Sequence, residues 1–261
     1  MFNLFQHSHG HILIVLLVYR KGIMYIKTEI KKLIGKLFSI DFLEKLTEYS
    51  IWRNAKGFDL SEAHLIKMSG NTWQELIEKG REKLWTEAVR YIGDLDIIFM
   101  EFGVWKGDSI KFFSKLIQSE KSKLYGFDSF EGLPEQWRGK DVGHFSTQGK
   151  IPVIDDNRVS FIKGWFQDTL PEFIDIIGNE SNGKVFLVHF DADLYSSTLF
   201  VLYTLAQKIK EFYFIFDEFS GHELRALYNF IQASRAKVKF IYYITWKDCP
   251  MIVFGNIQIN A

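Results

Sequence analysis

Short apolar runs alternate with amphipathic segments from residue 97 to residue 259. The apolar runs are typical of buried strands, and the segments between them repeat apolar residues at helical spacing. Strands that alternate with helices of about 10–15 residues form a doubly wound, mostly parallel α/β sheet. The predicted strands are 97–100, 123–127, 158–162, 184–190 and 212–216, and two β-rich runs, 238–243 and 251–259, close the sheet.

The pattern upstream of residue 93 is helical. Apolar positions between residues 24 and 43 repeat at helical spacing with lysines opposite, which favours packing on the chain's own domain or on a second subunit over binding to a membrane. A second helix is predicted to start near Thr72 and Glu75, which have the spacing of a capping box. We therefore divide the chain into a poorly defined extension that adds nothing to catalysis, 1–23, a helical region, 24–92, and an α/β domain, 93–261.

The composition is that of a folded protein with a substantial core, since 47% of the residues are hydrophobic. Lys+Arg and Asp+Glu each number 32, so the chain as a whole lacks the excess of positive charge that indicates nucleic-acid binding. The single cysteine, Cys249, excludes an intrachain disulfide and fits a reducing compartment, so we predict a cytoplasmic protein. The apolar run 12–19 is far shorter than the about 20 residues that cross a bilayer, and no transmembrane segment is predicted.

The segment Glu101-Phe-Gly-Val-Trp-Lys-Gly-Asp-Ser109 lies between the first predicted strand and a helix. Gly103 and Gly107 allow the backbone to approach a ligand closely. Ser109 can cap the helix, whose free N–H groups attract a carboxylate or phosphate, and Glu101 could accept hydrogen bonds from an amine or hydroxyls. A ligand with both an amino acid and a ribose would suit this segment, although it lacks two glycines of the dinucleotide-binding fingerprint.

Acidic residues stand at the ends of the predicted strands, where α/β sheets bind their ligands. Asp128 lies 21 residues after Gly107, at the end of the second predicted strand. Nucleotide-binding α/β folds have an acidic residue at this position, which binds the ribose hydroxyls. Trp165 follows the third strand, and it either stacks on an adenine or packs in the core. His189 precedes a further acidic cluster, and a core histidine is the preferred interpretation.

Three carboxylates at adjacent strand ends predict a metal site. Asp191, Asp217 and Glu218 could converge as oxygen ligands, which suits Mg²⁺, and no Cys/His set for zinc is present. A bound divalent ion lowers the pKa of an alcohol, so Asp191 could take its proton as a general base.

Four motifs together resemble the macrocin O-methyltransferase family of class I S-adenosylmethionine-dependent enzymes. They are Glu101-Phe-Gly-Val-Trp-Lys-Gly-Asp-Ser109, Tyr125-Gly-Phe-Asp-Ser-Phe-Glu-Gly-Leu-Pro-Glu135, Gly164-Trp-Phe-Gln-Asp-Thr-Leu-Pro171 and Asp191-Ala-Asp-Leu-Tyr-Ser-Ser-Thr198. The resemblance implies a seven-stranded sheet with the last strand antiparallel. It implies a cofactor site in which Asp128 binds the ribose, Trp165 lies beside the adenine, and further contacts come from Glu101, Gly103, Val104, Gly107, Ser109 and Ser129. It also implies a Mg²⁺ site at Asp191, Asp217 and Glu218, with Asp191 as the general base.

These observations predict a Mg²⁺-dependent O-methyltransferase that acts on a hydroxyl of a sugar or of a glycosylated small molecule. Two alternatives stay open: a non-catalytic, methyltransferase-like binding subunit and a nicotinamide-dependent oxidoreductase on a similar sheet. The short segment 220–225 after the acid pair leaves the acceptor unidentified. We predict a small-molecule or glycan acceptor and a homodimer contact through the N-terminal helices. We predict no binding to nucleic acid.

Overall fold

The computed structural model describes residues 59–68, 73–180, 183–219, 221–246 and 249–259. All of them belong to one compact unit, Glu44–Ala261. The predicted extension 1–23, the predicted helix between residues 24 and 43 and the predicted homodimer contact lie outside the described residues. No helix among the described residues is both long enough and apolar enough to cross a membrane.

One mixed sheet forms the centre of the fold, and its strand order is β1-β7-β8-β6-β5-β2-β3-β4. All neighbouring strands are parallel except β8, which is antiparallel to both β6 and β7. The strands are β1 (His64–Leu65), β2 (Ile97–Phe102), β3 (Lys123–Asp128), β4 (Val159–Lys163), β5 (Val185–Phe190), β6 (Glu211–Phe216), β7 (Ala236–Trp246) and β8 (Cys249–Ile259).

Within the described residues, five helices connect the strands. They are α1 (Trp73–Ile92), α2 (Asp108–Leu116), α3 (Phe166–Glu180), α4 (Tyr195–Lys208) and α5 (His222–Ala233). The predicted fold class, a doubly wound and mostly parallel sheet with an antiparallel last strand, is confirmed. The strand count differs from the prediction by one, because the two-residue β1 adds to the edge of the sheet beside β7.

Both faces of the sheet are buried, as the continuous apolar runs predict. Alternate residues of β2 belong to different hydrophobic clusters: Ile98 and Met100 face one cluster, and Ile97 and Phe99 face the other. Helices α3, α4 and α5 contribute to the first cluster, and α1 and α2 to the second. Helix α1 therefore packs against one side of the sheet. The boundary after residue 92 stays a prediction.

Candidate active site at the carboxyl ends of the strands

The turn between β2 and α2 comes into close contact with the end of β5. Gly103 has a positive φ of 99°, and a Cβ at this position would collide with the carbonyl oxygen of Asp191. Glycine is therefore required both by the backbone conformation and by the close approach of the two backbone segments. Helix α2 begins after Gly107, which is its N-cap in the left-handed region. Ser109 lies inside the first turn, so the prediction that Ser109 caps the helix is wrong.

Asp128 holds this turn through its carboxylate. One oxygen, Oδ2, accepts hydrogen bonds from the backbone N–H groups of Val104 and Trp105, each at 2.8 Å. The other, Oδ1, accepts one from the N–H of Phe130 at 2.7 Å. Hydrogen bonds from three amides fix the orientation of this carboxylate. The residue predicted to bind ribose therefore also shapes the loops on both sides of that site.

A cavity of about 530 Å³ opens at this edge of the sheet. Most of the predicted cofactor residues and the predicted base line it together: Gly103, Val104, Ser109, Asp128, Ser129, Trp165 and Asp191. Trp165 is 38% exposed and lines the cavity, so the alternative that it packs in the core is wrong. Of the remaining predicted site residues, Glu218 lines the cavity, whereas Glu101, Gly107 and Asp217 are not among its lining residues.

The loop between β3 and β4 covers part of the cavity with aromatic and basic side chains. Trp137, Lys140 and Phe145 line the cavity, and the ammonium of Lys140 lies over both aromatic rings. Arg138 forms an ion pair of 2.8 Å with Glu218, which follows β6. The sequence pattern does not identify these residues as part of a site, because they lie in a long loop without a chemical motif.

A buried polar network lies behind the cavity wall. His189 Nδ1 is 2.9 Å from Oε1 of Glu101, and its Nε2 is 3.3 Å from Oδ1 of Asp217. The indole N–H of Trp85 donates to the same Asp217 oxygen at 3.1 Å. Glu101, His189 and Asp217 are fully buried. The expected core histidine is confirmed as buried, but it also connects two carboxylates that the sequence places in separate motifs.

Burial and neighbouring charges have opposite effects on the pKa values of the residues in this network. Burial lowers the pKa of His189, but the charge of Asp217 and hydrogen bonds to both carboxylates outweigh it and raise the pKa to about 10. Burial raises the pKa of Glu101, against hydrogen bonding to His189. For Asp217, burial is outweighed by the charges of Arg81 and His189, and its pKa is lowered. A protonated histidine between two acids is therefore the favoured state at neutral pH.

Asp191 lies at the cavity with a raised pKa. Burial raises the pKa of this carboxyl to about 7, against the opposing effect of the Arg81 guanidinium. Burial and the nearby charge of Asp191 also raise the pKa of Asp193 to about 8. A carboxylate with a pKa near the working pH is suited to act as a general base.

The predicted metal ligands are not arranged around a common ion position. Among the residues that the structure describes, no three histidine, cysteine, aspartate or glutamate side chains are grouped so as to hold a metal ion. The guanidinium of Arg81 lies 2.8 Å (Nε) from Oδ2 of Asp217 and 3.9 Å (Nη2) from Oδ1 of Asp191. In this arrangement the donor set does not fit a Mg²⁺ ion, which takes oxygen ligands in octahedral geometry at about 2.0–2.1 Å.

Arg81 is another site residue for which the motifs contain no signal. It lies on α1, before the first of the four motifs, and in the sequence it reads as one charge on an amphipathic helix. Its spacing of four residues from Trp85 puts both side chains on the same helix face, where both reach Asp217.

The chemistry of the cavity suits S-adenosylmethionine. The carboxylate of Asp128 lies at the end of β3, and the exposed ring of Trp165 lines the same cavity. A ribose needs a fixed acceptor for its hydroxyls, and an adenine needs an aromatic face. These residues supply both in one cavity.

The sheet order and the cavity at the strand ends define a Rossmann-like, class I methyltransferase fold. The family model described as macrocin-O-methyltransferase (TylF) matches residues 48–249. The chain belongs to the macrocin O-methyltransferase family.

The proteins that are similar to this chain include a curated relative and several solved structures. The relative is the 8-demethyl-8-(2,3-dimethoxy-alpha-L-rhamnosyl)-tetracenomycin-C 4'-O-methyltransferase of Streptomyces olivaceus, 28% identical over 138 residues, which are 45% of this chain and 49% of the relative. The chain thus spans about half the length of that relative. The apo structure of CalS11, a TDP-rhamnose 3'-O-methyltransferase of calicheamicin biosynthesis, is 17% identical, with a TM-score of 0.46 over 82% of this chain and 94% of that one. An O-methyltransferase from Bacillus cereus in complex with SAH is 12% identical, with a TM-score of 0.43, and the match covers 89% of this chain and 99% of that one.

Proposed function

We propose that this protein is an S-adenosylmethionine-dependent O-methyltransferase whose acceptor is a hydroxyl of a sugar or of a glycosylated small molecule. The observation that carries the proposal is the shared cavity, which is lined by most of the predicted cofactor residues and by the predicted base Asp191. Membership of the macrocin O-methyltransferase family supports the reaction type. The curated relative, whose name gives a rhamnosyl group as its acceptor, supports a sugar hydroxyl.

The residues of the chain have separate tasks in this proposal. Bound S-adenosylmethionine supplies a methyl group on a positively charged sulfur. Asp128 binds the ribose of the cofactor, and Trp165 stacks on its adenine. The turns around its methionine end are formed by Gly103, Val104, Gly107, Ser109 and Ser129. Glu101 supports these turns from behind. The aromatic and basic loop with Trp137, Lys140 and Phe145 covers the acceptor.

Asp191 accepts the proton of the acceptor hydroxyl. Its backbone is fixed, since its N–H donates to the carbonyl of Phe102 at 3.0 Å, at the close approach to Gly103. Proton removal leaves the acceptor oxygen as a nucleophile, and holding it in line with the methyl group provides most of the remaining acceleration. The close contact of the two turns therefore fixes the base relative to the cofactor site.

Three further parts of the sequence-based hypothesis stay predictions. Mg²⁺ dependence, with Asp191, Asp217 and Glu218 as ligands, is predicted from the strand-end carboxylates and from the resemblance, but the position of Arg81 argues against it. The cytoplasmic location and the homodimer contact rest on the sequence alone.

The test is a transfer assay with the full chain, methyl-labelled S-adenosylmethionine and a panel of glycosides and sugar nucleotides, analysed by mass spectrometry. We expect one acceptor to gain one methyl group, and Asp191→Asn to remove this product. Tight binding of S-adenosylmethionine with no transfer to any acceptor would instead identify a non-catalytic binding subunit. Binding of a nicotinamide dinucleotide in its place would identify the oxidoreductase alternative.

A further inference from the structure

The predicted metal position is occupied by the guanidinium of an arginine. Arg81 lies between Asp217 and Asp191, with Nε 2.8 Å from the first carboxylate and Nη2 3.9 Å from the second. The guanidinium is planar, permanently charged and weakly hydrated, which makes it suited to an ion pair at the edge of a buried site. It therefore supplies a positive charge at the place where a divalent cation was expected.

The third predicted ligand is also paired with a guanidinium. Glu218 Oε2 accepts a hydrogen bond from Nη1 of Arg138 at 2.8 Å. Arg138 belongs to the loop that covers the cavity, so the pair joins this loop to the end of β6. Each of the three predicted ligands thus faces an arginine of the chain itself.

Asp217 has little capacity left for a metal ion. Its Oδ1 accepts from the indole N–H of Trp85 at 3.1 Å and lies 3.3 Å from His189 Nε2, and its Oδ2 faces Arg81. The side chain is fully buried among these three partners. Mg²⁺ loses its waters reluctantly and needs several free oxygens at short range. A dication would also be repelled by the guanidinium beside the same carboxylate.

We propose that Arg81 takes the place of the divalent cation in this chain, so that methyl transfer proceeds without a bound metal. The inference rests on the proposed function, since it concerns how the same site holds its base. Arg81 is a positioning residue that compensates the charge of Asp217 and orients Asp191. Its side chain is 28% exposed and lines the same cavity as Asp191.

The first test measures transfer with chelator-treated protein. We expect wild-type turnover to be unchanged by EDTA and by added Mg²⁺. Arg81→Met should lower kcat about 100-fold, because a small displacement of the base Asp191 is enough for a loss of this size, with the Kd for S-adenosylmethionine within about threefold of wild type. Arg81→Lys keeps the charge and should recover part of the rate. Arg90→Met, on the same helix with an exposed side chain paired to Glu87, is the matched control and should behave as wild type.

The second test does not depend on activity. The chelator-treated full chain is titrated with Mn²⁺ alone, and free Mn²⁺ is followed by electron paramagnetic resonance. We expect the wild-type chain to bind no stoichiometric Mn²⁺ up to millimolar concentration. One equivalent bound by wild type and lost in Asp217→Asn would overturn the inference, as would activity that disappears with EDTA and returns with Mg²⁺.

The two tests separate the inference from the proposed function. Absence of methyl transfer under every condition would contradict the proposed function, and the Mn²⁺ titration would still decide whether the acids form a metal site. Transfer that requires Mg²⁺ would leave the proposed function intact and remove the role assigned to Arg81.

Discussion

His189 Nδ1 lies 2.9 Å from Oε1 of Glu101, and the two residues are direct cross-strand partners on β5 and β2. Because β5 lies between β2 and β6, the other nitrogen of the same ring reaches Asp217 at the end of β6. A single buried imidazole therefore connects the acid behind the proposed cofactor site with the acid that holds Arg81. This connection makes the ionisation of His189 a property of the whole strand-end site.

The stability of the protein should depend on the ionisation of His189. Its pKa is raised from 6.5 to about 10 in the folded state, because the charge of Asp217 and the hydrogen bonds to both acids outweigh the effect of burial. The stabilisation is therefore complete below about pH 6.5 and is lost as the pH rises through about 10. We expect the unfolding free energy to fall by up to about 1.4 kcal/mol per pH unit in this range.

The measurement is urea denaturation across this pH range for wild type and His189→Gln. The variant should be less stable at low pH and should lack the slope. His144→Gln, which changes an exposed histidine, should reproduce the wild-type slope. An equal slope in wild type and His189→Gln would contradict the assignment of the slope to this residue.

Asp191→Asn should remove catalysis while cofactor binding is kept. The substitution preserves the shape of the side chain but removes its ability to accept a proton, and loss of a general base costs about 10²–10⁴-fold in rate. We expect this loss in kcat, with an unchanged Kd for S-adenosylmethionine by isothermal titration. Asp168→Asn, at an exposed position of α3, is the control for the loss of one negative charge. Full activity of Asp191→Asn with its true acceptor would rule out the base.

Asp128→Asn should weaken cofactor binding and also loosen the turn after β2. The carboxylate accepts hydrogen bonds from Val104, Trp105 and Phe130, and hydrogen bonds to a charged group are worth about 1.5–3 kcal/mol each. We expect at least a tenfold higher Kd for S-adenosylmethionine and a lower Tm. Asp155→Asn, at an exposed position, should change neither. A lower Tm with unchanged Kd would limit Asp128 to a structural role.

Trp165→Ala should raise the Kd for S-adenosylmethionine by removing the aromatic face proposed for the adenine. Stacking of a base on an aromatic side chain is worth about 1–3 kcal/mol, so the expected increase is about tenfold or more. Trp165→Phe keeps an aromatic face and should stay within about threefold of wild type. Because the side chain is 38% exposed, neither substitution should lower the Tm much. Equal Kd values for all three proteins would contradict the stacking.

The order of helices and strands and the edge of the sheet that carries the site follow from the sequence by itself. Periodicity separates strands from helices, and parallel strands place their carboxyl ends along one edge. For this reason Asp128 and Asp191, which lie 63 residues apart in the numbering, could be predicted to share a site, and the structure places both at one cavity. The glycine at position 103 is explained by the same geometry, as a close approach of two strand ends.

The partners of these acids were decided only by the tertiary structure. Arg81 comes from a helix that precedes every motif, and Arg138 from a loop without a motif, so their contacts depend on how α1 is rotated against the sheet and how the loop folds over it. His189 reads as an ordinary core residue until the strand order puts it between two acids. Local pattern determines which residues reach the strand ends, whereas long-range packing determines which charges meet there. Long-range packing therefore decides whether the charge of the acids is balanced by arginine or by a metal ion.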